Sequence, residues 1–198
     1  MFRLIGVYDY TVILTYLSLL SAVLGMMQAS AGNFSVSVNY LVCSGICDAF
    51  DGTVARTKKN RTEDEKAFGI QLDSLCDVIS FGVFPAFLCY CMGVDSMFGI
   101  CCVVFYCLCA VIRLAFFNVL EAKRQQTEGG SNKMYRGLPV TSISIIFPPV
   151  FLLRNVFPED VFVMVLHIML LVVGFLFVLD FSVKKLDFGK LLKKKTSA

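Results

Sequence analysis

The chain has 198 residues, of which 57% are hydrophobic and 17% are charged, and its formal net charge at pH 7 is +3. A mean hydropathy of +0.75 excludes an ordinary water-soluble domain and predicts an integral membrane protein. The small positive charge gives no support to nucleic-acid binding, because the basic residues lie in the connections between apolar stretches, where membrane topology already explains them.

Six apolar stretches follow one another along the chain: 10–28, 36–56, 68–92, 97–120, 138–156 and 161–181. Each is close to the roughly 20 residues that an α-helix needs to cross a hydrocarbon core. The sequence therefore predicts an all-α membrane fold with six transmembrane helices. These stretches occupy most of the chain, so residues 1–198 are expected to form a single domain, with 182–198 as a basic tail.

Lysine and arginine are concentrated in the N-terminal segment, in two of the connections and in the tail. The positive-inside rule places these segments, and both termini, in the cytoplasm. The connections at Ala31–Asn33 and Gly93–Ser96 carry no basic residue and are expected on the opposite side. The residues that support this orientation are Arg3, Lys58, Lys59, Arg61, Lys66, Lys123, Arg124, Lys133, Arg136 and the six lysines from Lys184 to Lys195. We therefore predict a multi-pass protein of the cytoplasmic membrane, whose tail is either a short interfacial helix or a solvated flank.

Four aspartates lie in or beside the second and third apolar stretches, toward the predicted cytoplasmic side: Asp48, Asp51, Asp73 and Asp77. A carboxylate at mid-bilayer depth costs roughly 2.5–3.5 kcal/mol on insertion scales, so four of them indicate a functional site. Arg56 alone cannot neutralise four negative charges, whereas two divalent cations can. All-oxygen ligation suits Mg²⁺ or Mn²⁺, which proteins often share with substrate phosphates. The sequence thus predicts a phosphoryl-transfer site.

The spacing of these residues predicts a geometry. If the second apolar stretch is helical, one stripe on it holds Asp48, Gly52 and Arg56, and Asp51 and Ala55 lie beside that stripe. On a helix formed by the third stretch, a single stripe holds Gly69, Asp73 and Asp77. Residues four apart share a helix face, and small residues let helix backbones or a ligand approach closely. Packing of the two helices through Gly52, Ala55 and Gly69 is expected to bring the acids together around metal ions.

The same eight positions resemble the DxxDGxxAR…GxxxDxxxD signature of the CDP-alcohol phosphatidyltransferases, integral membrane enzymes with six transmembrane helices. Twelve residues, Thr57–Phe68, separate Arg56 from Gly69, where the usual pattern has about eight, and we interpret this charged insert as a longer cytoplasmic loop of about one extra helical turn in length. Three further segments, LDSLCDVISFGVFPA, VIRLAFFNV and YRGLPVTS, resemble the membrane-embedded phosphatidylserine synthase subgroup of that family. Where this subgroup often has a second arginine, the chain has Phe116.

The resemblance implies transfer of the phosphatidyl group from CDP-diacylglycerol to the hydroxyl of L-serine, with CMP as the leaving group. It implies two Mg²⁺ or Mn²⁺ ions held by Asp48, Asp51, Asp73 and Asp77, with Asp77 also acting as general base. The CDP moiety is expected to contact Asp48, Gly52, Ala55, Arg56 and Gly69. A homodimer is expected from the family resemblance alone.

An amino-acid acceptor also requires a group that recognises its carboxylate. Arg113 lies about 12 Å of helix from the cytoplasmic end of its stretch, too deep for a topology signal, so it is expected to bind a phosphate or the serine carboxylate. The alternative is a structural ion pair with one of the four acids. Asn118, Lys133 and Arg136 are further acceptor-site candidates, although the last two also fit the positive-inside pattern.

Other interpretations remain open at this point. The acceptor could be glycerol 3-phosphate or an inositol phosphate, and the donor could be an archaeal ether lipid. Paired acids in a membrane could instead define a cation transporter. Nine cysteines within the apolar stretches and the single His167 are predicted to serve in packing rather than in metal binding or catalysis.

Overall fold

The computed structural model describes residues 6–55, 57–58, 62–126, 134–180 and 182–184. The described residues form seven α-helices, which are α1 (Ile13–Ser30), α2 (Phe34–Ala55), α3 (Glu63–Asp77), α4 (Phe84–Cys91), α5 (Met97–Gln126), α6 (Ile143–Leu152) and α7 (Glu159–Val178). A π-helical turn, Val78–Val83, joins α3 to α4, and 3-10 turns flank α1 and α6 at Tyr10–Val12, Val140–Ser142 and Leu153–Asn155. Two short strands, β1 (Met134–Arg136) and β2 (Ser182–Lys184), pair antiparallel, with Tyr135 opposite Val183.

Each of the six predicted apolar stretches contains helix among the described residues, but they do not all have the length and composition of a membrane span. Among the described residues, four helical segments are long and apolar enough to cross a membrane: Tyr10–Ser30, Glu63–Cys91, Met97–Ala122 and Glu159–Val178. The fifth stretch yields the shorter apolar segment Val140–Asn155. Helix α2 has 22 residues, but its serines, asparagine and two aspartates make it more polar. The helical membrane fold is therefore confirmed, whereas six crossings are not.

The beginning of α3 corrects one prediction. The sequence predicts a loop for the insert Thr57–Phe68, yet α3 starts at Glu63, so the second half of the insert is helical. Thr62 is the N-cap: its side chain accepts a hydrogen bond from the Glu65 backbone N–H, and the Glu65 carboxylate accepts one from the Thr62 N–H. Acidic residues in the first turn also favour a helix N-terminus.

Small and hydroxylic residues hold α1, α2, α4 and α6 together. The Ser18 and Ser44 hydroxyls lie 2.7 Å apart between α1 and α2, and the Ser37 hydroxyl donates to the Gly25 carbonyl at 2.8 Å. A Cβ at Gly25 would overlap the Phe84 ring, at 2.3 Å, and a Cβ at Gly45 would overlap the Ser144 side chain of α6, at 2.2 Å. These glycines thus allow the helices to approach closely.

The π-helical turn is held by α5. Pro85 lacks the N–H that an α-helix would donate to the Phe81 carbonyl, and the Tyr106 hydroxyl donates to that carbonyl at 2.7 Å. Both Phe81 and Tyr106 are fully buried, and Tyr106 packs against Phe177 of α7 with ring centroids 5.4 Å apart. π-Helical turns occur frequently at functional sites, and this one begins directly after Asp77.

Candidate active site

Three of the four predicted acids meet at one place. Asp48 on α2 and Asp73 and Asp77 on α3 each offer a carboxylate oxygen, and these oxygens all lie within 4.8 Å of one another. Asp77 is 9% exposed, while Asp48 and Asp73 are half-buried. The four-residue step from Asp73 to Asp77 places both on one face of α3.

The donor set fits a divalent cation. Among the described residues, two buried side-chain atoms have no hydrogen-bond partner, namely Asp73 Oδ1 and Ser80 Oγ. Asp77 lies between these two residues in sequence, and buried polar atoms without partners are costly. Three carboxylates at this separation repel one another, and a hard cation with oxygen ligands relieves that repulsion while satisfying the free oxygen.

Asp51 lies beside this cluster rather than within it. Its carboxylate is close enough to act electrostatically on both Asp48 and Asp73, and its Oδ2 accepts a hydrogen bond from the Thr15 hydroxyl of α1 at 3.2 Å. The predicted set of four ligands is thus brought into one neighbourhood, with Asp51 at the edge that faces α1.

An open pocket of about 150 Å³ adjoins the acids. It is lined by Thr11, Val12, Thr15, Asp51, Gly52, Lys66, Gly69, Ile70 and Asp73. A Cβ at Gly52 would meet no atom within 4 Å, so the expected helix contact through Gly52 is wrong. Gly52 and Gly69 line the space where a ligand could lie, whereas Gly25 and Gly45 provide the close helix contacts described above.

Three polar residues that line the pocket were not predicted from the sequence as site residues. Lys66 was assigned only to topology, yet it lines the pocket and pairs with Glu63 at 2.7 Å. Thr11 and Thr15 were overlooked, although both are buried. Together with Ser18 they recur at helical spacing in an otherwise apolar segment, which is a readable signal that one face of α1 meets polar groups.

A small ion-pair cluster links the segments that precede α1 and α3. Lys58 Nζ lies 2.8 Å from Asp9 Oδ2 and 3.1 Å from Glu65 Oε1. The hydrogen bond from Lys58, with further donation from Thr11, lowers the pKa of Asp9 from 3.8 to about 2. Thr11 lines the pocket, so this cluster, which we call the Lys58 clamp, lies near its rim.

The acceptor-site candidates have separate surroundings. Asn118 Oδ1 accepts a hydrogen bond from the Ser74 hydroxyl at 2.7 Å. Ser74 directly follows Asp73, so Asn118 lies beside this part of α3. Arg113 is buried, and its Nε donates to the Leu138 carbonyl at 3.3 Å. Among the described residues its electrostatic partner is Asp180 rather than one of the four aspartates.

Some candidates lie outside the described part of the chain. Arg3, Arg56, Lys59, Arg61 and Lys133 are outside the described residues, as is most of the basic tail. Ala55 and Arg136 are placed only through their backbone, in α2 and β1, and the same holds for Lys123 and Arg124 in α5.

The cysteines and the histidine behave as packing residues. All nine cysteines are free thiols. His167 Nδ1 lies 2.7 Å from the Val163 carbonyl of its own helix, and its ring stacks on Phe98 with centroids 5.6 Å apart. His167 lies on α7, whereas Cys47 and Cys76 directly precede Asp48 and Asp77 in sequence and are close enough for the charges of the aspartates to act on them.

The fold and the site define a class: a multi-helix membrane protein whose adjacent helices present carboxylates suited to cation and phosphate chemistry beside an open pocket. The chain belongs to the CDP-alcohol phosphatidyltransferase family, whose model matches residues 10–180.

Curated relatives support this assignment and add a substrate class. A CDP-diacylglycerol–serine O-phosphatidyltransferase of Saccharomyces cerevisiae is 34% identical over 120 residues, which cover 59% of this chain and 42% of the yeast protein. An enzyme of the same name from Methanocaldococcus jannaschii is 36% identical over 108 residues, 54% of this chain and 49% of that protein. An archaetidylserine synthase of Methanothermobacter thermautotrophicus is 35% identical over 134 residues, 67% of this chain and 54% of that protein. The chain thus matches about half the length of these relatives.

Proposed function

We propose that this protein transfers the phosphatidyl group of CDP-diacylglycerol to the hydroxyl of L-serine, giving phosphatidylserine and CMP. The observation that carries the proposal is the group of three carboxylates within 4.8 Å of one another beside an open pocket. The family supplies the reaction class. The names of the relatives, all of which act on serine or form a serine lipid, supply the acceptor.

Asp48, Asp73 and Asp77, completed by Asp51, would hold two divalent cations, Mg²⁺ or Mn²⁺. Bound there, such ions would neutralise negative charge on the pyrophosphate and on the departing CMP. The unpartnered Asp73 oxygen supports this role, because a carboxylate in apolar surroundings needs either a donor or a cation.

The pocket wall would hold the nucleotide end of the donor. Gly52 and Gly69 leave room for it, and Ala55 lies one turn beyond Asp51 in α2. Lys66 lines the pocket with a positive charge, and Arg56 follows directly after α2. These two cations would pair with phosphate oxygens, which are favourable partners for lysine and arginine.

Asp77 would act as the general base. It is the most buried of the acids in the cluster, and it ends α3 just before the π-helical turn. In the reaction the serine hydroxyl gives its proton to Asp77, the serine oxygen bonds to the phosphorus that carries diacylglycerol, and the bond from that phosphorus to the CMP oxygen breaks. No covalent enzyme intermediate is needed.

The acceptor would approach from the α5 side. On α5, Asn118 contacts α3 at Ser74 and Tyr106 contacts the π-helical turn at Phe81. Along α5, Arg113 lies between Tyr106 and Asn118. Along the facing segment, Asp77 lies between Ser74 and Phe81, so Arg113 and Asp77 lie between the same two contacts. We therefore assign Arg113 to the serine carboxylate and Asn118 to a supporting hydrogen bond. Lys133 and Arg136, from the connection before α6, complete this proposed acceptor site.

The remaining parts of the proposal concern the whole protein. We place it in the cytoplasmic membrane as one domain of six helices crossing or entering the bilayer, with both termini and the active site on the cytoplasmic side. The distribution of basic residues supports this orientation. A homodimer follows from the family resemblance.

The decisive test of the acceptor uses detergent-purified protein with CDP-diacylglycerol and Mn²⁺ or Mg²⁺. L-Serine, glycerol 3-phosphate and an inositol phosphate are offered separately, and CMP release is measured. We expect release with serine only. Release with another acceptor would retain the site and overturn the choice of serine, and parallel reactions with the CDP-activated archaeal ether lipid would test the donor.

A cation transporter is the alternative from another class. Transport requires polar groups distributed along a path through several helices. The described acids of the cluster instead lie together at one end of α2 and α3, next to a pocket with two glycines. Absence of CMP release with every acceptor, together with cation flux in proteoliposomes, would favour the transporter.

A further inference from the structure

We infer that Thr15 is a positioning residue, whose hydroxyl orients the Asp51 carboxylate toward the acid cluster and thereby sets the affinity of the site for a divalent cation. This inference rests on the proposed function only in so far as the four aspartates hold a cation. It does not depend on which acceptor or lipid donor is used.

The contact itself joins two helices. The Thr15 hydroxyl lies 3.2 Å from Asp51 Oδ2, across 36 positions of sequence, so α1 provides a donor to an acid of α2. The hydrogen bond occupies Oδ2. At the same time the Asp51 carboxylate is within hydrogen-bonding reach of Asp73, and its charge acts on both Asp48 and Asp73.

Asp51 lies at the edge of the acid cluster. Asp48, Asp73 and Asp77 converge with oxygens within 4.8 Å of one another, and Asp51 is not part of that group. Asp51 also borders the open pocket, as does Thr15. A donor on the pocket side restrains Asp51, as groups that hydrogen-bond to metal ligands generally do.

The donor is held firmly. Thr15 is 6% exposed, and its β-branched side chain is limited to two main χ1 rotamers in a helix. One turn further along α1, the hydroxyls of Ser18 and Ser44 lie 2.7 Å apart and also contact each other's backbone carbonyls at 3.1–3.2 Å. This second contact is a separate link between α1 and α2 that involves none of the four aspartates.

The test compares three variants of the full-length protein in detergent. Thr15→Val keeps the shape and removes the hydroxyl, Thr15→Ser keeps the hydroxyl, and Ser18→Ala removes the neighbouring hydroxyl that touches no acid. The first readout is the increase in melting temperature on titration with Mn²⁺ in the absence of lipid and serine. The second is the Mn²⁺ concentration that gives half-maximal CMP release.

We expect Thr15→Val to raise the half-saturating Mn²⁺ concentration about 10–100-fold in both readouts, the range found for groups that orient metal ligands. Thr15→Ser should restore most of the affinity, and Ser18→Ala should leave the Mn²⁺ dependence unchanged while lowering the melting temperature. A Thr15→Val protein with the wild-type Mn²⁺ dependence would overturn the inference. So would a raised KM for CDP-diacylglycerol alone, which would make Thr15 a substrate contact.

The outcomes also separate this inference from the proposed function. If serine proves to be the wrong acceptor, the thermal titration with Mn²⁺ still measures the effect of Thr15. If the wild-type protein shows no stabilisation by Mn²⁺ or Mg²⁺ at all, the metal site and the role of Thr15 are both wrong.

Discussion

The hydroxyl of Tyr106 is expected to stabilise the π-helical turn that follows Asp77. Tyr106→Phe keeps the ring and its packing on Phe177, but it leaves the Phe81 carbonyl, which now accepts a hydrogen bond at 2.7 Å, without that donor. Both residues are fully buried, so water cannot replace the hydroxyl. A buried acceptor left unsatisfied costs about 1–3 kcal/mol. For a chain of this size that corresponds to a decrease in Tm of about 2–12 °C.

The assay is thermal unfolding of the detergent-purified protein. Tyr90→Phe is the matched control, because Tyr90 is 45% exposed on α4, and its Tm should change by less than 1–2 °C, as about 0.5 kcal/mol for a surface change implies. The reasoning is refuted if Tyr106→Phe and Tyr90→Phe melt at the same temperature. In that case the carbonyl of Phe81 would be satisfied within the π-helical turn itself.

Two further predictions concern the glycines and the Lys58 clamp. Gly52→Ala should preserve Tm and raise the KM for CDP-diacylglycerol, because the new Cβ enters the open pocket. Gly45→Ala should lower Tm, because its Cβ would overlap the Ser144 side chain. Equal Tm values for the two variants would contradict this assignment. The lowered pKa of Asp9 means that its stabilising ion pair with Lys58 is complete above about pH 4 and is lost as the pH falls through about 2. The Tm difference between the wild type and Asp9→Asn should therefore shrink over that interval. A difference independent of pH would show that the charge of Asp9 does not contribute to stability.

The spacing of the acids was predictable because it is a local property of a helix. Four residues separate Asp73 from Asp77, and this step alone fixes a shared face once α3 is helical. The start of α3 was predictable in principle, since Thr62 and Glu65 form a capping box, but the charge of the insert favoured a loop interpretation. The number of membrane crossings was harder to predict, because the polar residues of α2 lower its hydropathy and the 3-10 turns around α6 shorten its α-helix.

The contacts between distant segments could not be read from the sequence. Nothing local in the chain indicates that Thr15 meets Asp51, or that Gly52 faces a pocket while Gly45 faces Ser144. Asp48 and Asp51 are three residues apart, so they differ in direction around the helix axis by about 60°. That rotation is enough to direct Asp51 toward α1 while Asp48 faces α3. Such arrangements depend on how the helices pack, which hydropathy and spacing do not define.

The central claim is that the protein uses the carboxylate cluster to transfer the phosphatidyl group of CDP-diacylglycerol to serine. It is tested most directly by serine-dependent CMP release from CDP-diacylglycerol, with added Mn²⁺, by the wild type, Asp77→Asn and Asp95→Asn. Asp95 is the matched control because it is exposed in the connection between α4 and α5, away from the cluster. The account predicts release by the wild type and Asp95→Asn, and a loss of at least about 100-fold in Asp77→Asn, the lower range for removal of a general base. Wild-type release by Asp77→Asn would contradict it.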